Sequence, residues 1–252
     1  MEKLISEIYR DEIRKTLANK KRDKAVFFDT NLKDCKIIMP LYHGDERGYF
    51  AEIYRDDLFS SKNFPKVSQE NISKSSKGVV RGLHFQVGDS CQAKIVTALT
   101  GSVIDVVVDI RKNSPTYGKS TFVYLAPFDG KDLSTGAFLY VPRGFAHGFI
   151  SLEDNTLFNY RVDRPYDYYS ESGIYYNDKS LNIPWEEIYS MYGIEKPILS
   201  EKDEPIKEEL KVKRKLLKDT TNYFIYDENF IDNLKIDYDN TIKDFPNLVL
   251  KK

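Results

Sequence analysis

At 252 residues the chain is long enough for one large β domain or two small ones, and its formal net charge of −1 gives no pull toward nucleic acid or an acidic membrane surface. An apolar share of 41% and a charged share of 31% are those of a soluble globular protein. Two cysteines, Cys35 and Cys91, are too few for a disulfide framework, no apolar run is long enough to span a bilayer, and the N-terminus has no apolar signal core, so a cytoplasmic location is expected.

Residues 2 to about 20 read as an amphipathic helix, with Leu4, Ile5, Ile8, Ile13 and Leu17 at helical spacing. That apolar stripe has to be covered by the domain or by a partner chain. The charge run Lys20 to Lys24 reads as a solvated helix end. From about Lys33 the pattern changes to strands. Cys35 to Met39 is one, ended by Pro40; His43 to Gly48 reads as a turn; Tyr49 to Tyr54 alternates again; a short helix fits near Asp56 to Ser61. A β run then dominates: Lys94 to Leu99, Val103 to Ile110, Thr121 to Leu125, Ala137 to Val141, Ala146 to Leu152 and Leu157 to Val162. Many short strands with Gly and Pro punctuation indicate an all-β sandwich or barrel, and the lack of βαβ alternation argues against a doubly wound fold. After Trp185 the chain turns polar and helical. Glu204-Pro205 opens a helix from Ile206 to about Leu217, and residues 219 to 252 show no clear period.

The chemistry concentrates between Gln69 and Lys94, where Arg81, His84 and Lys94 fall on two strands and a turn. Period two puts Arg81 on one face with Val79, Leu83 and Phe85, and His84 on the other with Val80 and Gln86. A bend at Gly82 would bring Arg81 and His84 to one cavity. Cations beside an imidazole suit an anionic ligand and keep the imidazole neutral as a base. A metal-binding cupin site needs several His converging on one ion. Here the residue two after His84 is Gln86, and only His43 and His147 remain, so no metal is expected. His147 lies between glycines that give a ligand room, and Tyr160, Tyr166, Tyr168 and Tyr169 form an aromatic stretch in which one can donate a proton.

The ordered set Gly44-Asp45-Glu46-Arg47-Gly48-Tyr49-Phe50, Gln69-Glu70-Asn71, Arg81-Gly82-Leu83-His84-Phe85-Gln86, Gln92-Ala93-Lys94, Asp105 to Arg111, Pro142 to Phe149, Asn177-Asp178, Ile183-Pro184-Trp185 and Leu199 to Asp203 resembles the dTDP-4-dehydrorhamnose 3,5-epimerase family. The resemblance runs from about Lys33 to Asp203. It implies a double-stranded β-helix, or cupin jelly roll, over residues 33–203, with a helical N-terminal extension (1–32) and a helical or irregular C-terminal one (204–252). It implies a cofactor-free and metal-free homodimer that epimerises a nucleotide-linked 4-keto-6-deoxyhexose at C3 and C5 for surface polysaccharide synthesis. A single-centre epimerase and a silent sugar-nucleotide binder are the rivals. By position His84 resembles the base, Asp203 the carboxylate that orients it, Lys94 the cation on the enolate oxygen, and Tyr166 the acid on the opposite face. Arg47, Glu52, Gln69, Asn71 and Arg81 resemble nucleotide-sugar contacts, and His147 and Asp105 inner-pocket residues. Two positions depart from the family pattern: Ile72 stands where a histidine is usual, and Lys179 where a proline is.

Overall fold

The computed structural model describes residues 5–18, 25–62, 64–111, 114–132 and 134–204. The expectations for Leu4, for the 20–24 charge run, for the helix from Ile206 and for the tail fall outside them. In chain order the elements are α1 (Ile5–Ala18), β1 (Val26–Asp29), β2 (Lys36–Met39), β3 (Tyr42–Asp45), β4 (Gly48–Ala51), α2 (Asp56–Ser60), β5 (Gln69–Ser75), β6 (Val80–Gln86), β7 (Lys94–Thr100), β8 (Val103–Asp109), β9 (Ser120–Leu125), β10 (Phe138–Val141), β11 (Phe145–Ser151), β12 (Thr156–Val162), β13 (Glu171–Gly173) and α3 (Trp185–Tyr192).

Eleven of the strands gather into two antiparallel sheets, and a separate two-stranded hairpin completes the set. The six-stranded sheet has the order β1-β2-β10-β7-β12-β5, the five-stranded sheet β13-β6-β11-β8-β9, and β3 pairs only with β4. The alternation within β8 shows how sequence sets the layers. Val103 and Val107 enter the apolar layer between the sheets, while Ile104, Val106 and Val108 face a second layer closed by Trp185 and Ile188 of α3. A third layer, with Phe59 of α2 and Phe64, covers the far face of the six-stranded sheet. This is the expected all-β cupin sandwich.

The described part of the N-terminal stripe, Ile13 and Leu17, is covered by the domain. Tyr9, Ile13 and Leu17, four residues apart along α1, are buried among Val123 and Leu125 of β9 and the rest of the inner layer. Two boundaries differ from the sequence reading. The strand series starts at Val26, because Val26 to Asp29 pairs with Lys36 to Met39, so the segment before Lys33 is not helical throughout. His43 to Asp45 is strand paired with Gly48 to Phe50, and only Glu46 and Arg47 form the turn.

The feature that makes a site is in β6. Against β11, His84 is opposite His147 and Arg81 opposite Phe149, so three steps on β6 match two on β11. This is a bulge at Gly82, whose φ is +121°. Strict period two fails there. Leu83 and Phe85 turn outward into the α3 layer, while Arg81 and His84 both face the inside. A Cβ on Gly82 would lie 2.7 Å from both the His147 carbonyl oxygen and the Gly148 Cα. Gly82→Ala is therefore expected to destabilise the protein by about 2 kcal/mol, a fall in Tm of about 4–8 °C, and to displace His84. Gly88→Ala is the control: its φ is +60° but no atom lies within 4 Å of the added carbon. Equal melting losses for the two variants would remove the bulge from the argument.

Candidate active site

One end of the sandwich is not filled by apolar side chains. A cavity of about 640 Å³ opens there, walled by Arg81, His84 and Gln86 of β6 and His147 and Phe149 of β11 on one sheet. Ser73 of β5, Lys94 of β7 and Phe158 and Tyr160 of β12 form the facing wall. Tyr166, Glu171 and the segment Ser200 to Asp203 close the rim.

Asp203 reaches His84 because the chain after α3 returns to β6. Ile198 bridges Val79, with Val80 N–H donating to the Ile198 carbonyl at 2.9 Å and Ile198 N–H to that of Gly78 at 2.9 Å. His84 Nε2 lies 2.5 Å from Asp203 Oδ1, and Ser200 Oγ donates to Asp203 Oδ2 at 2.7 Å. A carboxylate there puts the ring proton on Nε2 and the basic lone pair on Nδ1. Burial lowers the His84 pKa below the ordinary imidazole value, against the raising effect of Asp203. Burial would raise the Asp203 carboxyl, but the His84 and Ser200 hydrogen bonds outweigh it and hold it below the usual carboxylate range.

A second His–Asp pair sits beside the first. His147 Nε2 is 2.9 Å and 3.1 Å from the two oxygens of Asp105, a wholly buried carboxylate on the inner face of β8. Asp105 lies behind His147 and does not itself line the cavity. Burial raises its pKa, partly offset by His147 and Lys94.

Lys94 opens β7 between Val141 of β10 and Val162 of β12. Its backbone is fixed by the preceding residue: Ala93 N–H donates to Asp163 Oδ1 at 2.8 Å, and Asp163 is held by Arg143 Nε at 2.9 Å and Nη2 at 2.7 Å. No side chain among the described residues hydrogen-bonds its ammonium. Burial lowers its pKa to about 8, with Asp105 the main opposing charge.

Of the four tyrosines, Tyr160 and Tyr166 line the cavity, and Tyr168 and Tyr169 do not. Tyr166 is 48% exposed, and its hydroxyl donates to Glu171 Oε2 at 3.0 Å. Burial and that carboxylate push its pKa up to about 12. Glu171 Oε1 in turn accepts from Lys202 Nζ at 2.9 Å. Tyr160 lies deeper, next but one to Phe158 on β12 and opposite Val96.

Arg81 joins the cavity wall and is steadied by Ser75 Oγ (3.1 Å) and the Lys74 carbonyl (3.2 Å). Gln69 and Asn71 share the β5 face that carries Ser73 but stop short of the cavity; they bond each other, and Gln69 Oε1 accepts from Tyr166 N–H. Arg47 and Glu52 are not part of the cavity at all. Arg47 is paired with Asp45 on the exposed β3–β4 hairpin and Glu52 with Arg55. That hairpin is anchored beside β9, at the opposite edge of the five-stranded sheet from β6: Tyr42 stacks on Phe128 at 4.2 Å and donates to the Gly136 carbonyl at 2.7 Å.

The site also contains residues that sequence reasoning passed over. Ser73 was available from period two, two residues after Asn71, and Lys202 sits beside Asp203 in the same stretch. Glu171 gave no local signal.

Comparison with known proteins settles the family. The dTDP-4-dehydrorhamnose 3,5-epimerase model matches residues 29–210. The chain belongs to that family. A Shigella flexneri protein named dTDP-4-dehydrorhamnose 3,5-epimerase is 42% identical over 176 residues, 69% of this chain and 90% of that protein. The crystal structure of the Elizabethkingia anophelis NUHP1 enzyme of that name superposes with a TM-score of 0.63 at 42% identity, covering 71% of this chain and 93% of its own. A Legionella pneumophila epimerase, solved with dTDP-4-keto-L-rhamnose, gives 0.63 at 37% identity over 71% of this chain and 89% of that one. Membership makes this cupin an isomerase, a nucleotide-sugar epimerase.

The two shifted groups give a pH profile. With the roles the family resemblance implies, His84 as base and Lys94 as cation, the base must be neutral, so kcat/KM should fall as pH drops through the depressed His84 value, below that of ordinary histidine. A cation must be protonated, so kcat/KM should also fall as pH rises through about 8, the value to which burial lowers Lys94. Lys94→Met should be slow and lose the alkaline limb. An alkaline limb that survives the substitution would assign it to another group.

Proposed function

We propose that the chain inverts C3 and C5 of dTDP-4-keto-6-deoxyglucose, giving the 4-keto-L-rhamnose sugar nucleotide in the cytoplasm for surface polysaccharide. The observation that carries this reading is the His84–Asp203 pair facing Lys94, a cation without a side-chain partner among the described residues, across a cavity of about 640 Å³. Both reacting carbons flank the C4 ketone. His84 takes the proton from one, the electron pair moves onto the ketone oxygen, and Lys94 stabilises the enolate. A tyrosine O–H then delivers a proton to the other face of that carbon and recovers one from solvent, while His84 releases the proton it took to solvent before the next abstraction. Nothing is oxidised or reduced, and neither metal nor cofactor is needed.

Position favours Tyr160 over Tyr166 in this reading. The family resemblance assigns the acid to Tyr166, but the Tyr166 hydroxyl is donated to Glu171 at the rim. Tyr160 stands on the sheet facing His84, in the strand next to Lys94, which is where an opposite-face acid has to be. We assign the acid to Tyr160 and give Tyr166 the mouth of the cavity.

Arg81 is placed for the diphosphate, which suits guanidinium geometry. Arg47 and Glu52 can serve the nucleotide only from a second copy, because their hairpin lies across the sandwich from their own cavity. Its Tyr49 and Phe50 are 50% and 71% exposed, an apolar tip of the kind that marks an interface. The working unit in this reading is a homodimer in which each hairpin completes the partner's site.

The deciding experiment is NMR of dTDP-4-keto-6-deoxyglucose with the enzyme in D₂O. Deuterium and inversion at both C3 and C5 are expected. Change at one centre would make the chain a monoepimerase, and binding without exchange a silent binder. His84→Asn should lose more than about a thousandfold in turnover while remaining folded. Tyr160→Phe should still exchange deuterium into substrate with little inversion, because the enolate forms but is reprotonated by His84 from the original side. Tyr166→Phe should raise KM and keep inversion coupled to exchange. The opposite pattern for the two tyrosines would return the acid to Tyr166.

A further inference from the structure

The helix α1 precedes the residues that match the family model, 29–210. Its two arginines converge on one carboxylate. Arg14 Nε donates to Asp132 Oδ1 at 2.9 Å and its Nη2 to Oδ2 at 2.5 Å, a bidentate pair. Arg10 Nη2 donates to the same Oδ2 at 3.2 Å, its Nε to Ser134 Oγ at 3.3 Å, and its guanidinium covers the Tyr124 ring at 4.5 Å. Arg14, aided by the hydrogen bonds from Ser134, holds the Asp132 carboxyl well below the usual range.

Asp132 belongs to the connection between β9 and β10, and the same connection seats the β3–β4 hairpin. Phe128 stacks on Tyr42 at 4.2 Å and meets Tyr49 edge-on at 5.2 Å, and Gly136 supplies the carbonyl for Tyr42 Oη. Gly136 itself has φ +78°, and a Cβ there would lie 2.5 Å from the Tyr42 hydroxyl, so the seat fits only as built. The connection also carries its own internal bonds: Ser134 N–H donates to Asp132 Oδ1, and the Lys131 and Asp132 N–H groups donate to Asp129. A contiguous path therefore runs from Arg10 and Arg14, through Asp132 and Phe128, to Tyr42 and Tyr49, and so to Arg47 at the hairpin tip.

We propose that α1 is a brace that sets the orientation of the β3–β4 hairpin, making Arg10, Arg14 and Asp132 positioning residues for nucleotide-sugar binding by the second copy. The proposal rests on the reading of the hairpin as part of the partner's site. A lone exposed ion pair would not do this work. Two arginines sharing one partly buried carboxylate, with one of them also covering an aromatic ring, fix the connection at several points.

The test uses the full chain carrying Asp132→Asn, which keeps an oxygen acceptor for Ser134 N–H, and separately the Arg10→Ala/Arg14→Ala pair. Hydrogen–deuterium exchange of residues 42–51 should accelerate about fivefold or more, with β6 and β11 unchanged. KM for the keto-sugar nucleotide should rise about fivefold, with kcat within twofold of wild type. The reversed pair Arg14→Asp/Asp132→Arg should recover part of both, which guards against simple misfolding of a single variant. Arg47→Ala is the control and should raise KM without changing hairpin exchange. Wild-type hairpin exchange in both brace variants overturns the proposal. So does faster exchange with unchanged KM when Arg47→Ala does raise KM. If Arg47→Ala leaves KM unchanged, the reading of the hairpin fails, and with it any role of the brace in binding, whatever the exchange shows.

Discussion

The site depends on two backbones touching. Gly82 of β6 and Gly148 of β11 leave no space between them: a Cβ on Gly148 would lie 2.5 Å from the Arg81 carbonyl oxygen and 3.1 Å from the Gly82 Cα. That approach is what allows three residues of β6 to run against two of β11. The extra residue reverses the alternation, so that a guanidinium and an imidazole share one face while Leu83 still reaches the outer apolar layer. Without it, either Arg81 or His84 would have to sit in the α3 layer, where an unpaired charge or a polar ring costs several kcal/mol. The bulge thus serves packing and chemistry together. It also places His84 directly opposite His147, so both His–Asp pairs point into the same space.

Burial then does different things to the groups it surrounds. Arg111 is buried, but Asp109 and Asp34 pair with it, and its pKa moves up. That is a structural ion pair, with its hydrogen bonds satisfied. Lys94 is half-buried with no carboxylate partner among the described residues, and desolvation moves its pKa down to about 8. A lysine in that state is poised for an anion: an enolate oxygen arriving beside it restores the missing charge partner, so the interaction strengthens as negative charge develops. The same desolvation keeps His84 neutral near neutrality, with Asp203 ready to stabilise the imidazolium once a proton is taken. In the proposed mechanism one physical cause, removal from water, prepares both the base and the electrophile.

Much of the fold was legible because its strands are long and half-apolar. β7, β8, β11 and β12 each show β-branched or aromatic residues in runs that only strands bury well, and among the polar residues set within them Lys94, Asp105, His147 and Tyr160 line or support the cavity. What was not legible depends on contacts far apart in sequence. β13 is three residues long and exists because it pairs with β6. Glu171 enters the site only through that pairing. The order of sheets, which separates Tyr160 from Tyr166, is not written in the local pattern of either tyrosine. Arg47 and Glu52 stand in recognisable motifs, but a motif does not say which copy of the chain it serves.

The position of the cavity follows from where apolar filling stops. At the β9 edge the space between the sheets is packed by Tyr9, Ile13 and Leu17 of α1 together with Phe28 and Leu32. At the opposite edge, where β5 faces β6 and β13, the inward residues are Ser73 and Ser75 on one side and Arg81 and His84 on the other. Polar side chains at that end cannot collapse onto each other as leucines would, so the sheets enclose a volume that a polar ligand can occupy. The alternation of β5 bears on Ile72 as well. It is 60% exposed and points away from Ser73, so the residue that departs from the family pattern does not touch this chain's own cavity. It lies instead on the outer face of β5, one of the two edge strands of the six-stranded sheet among the described residues.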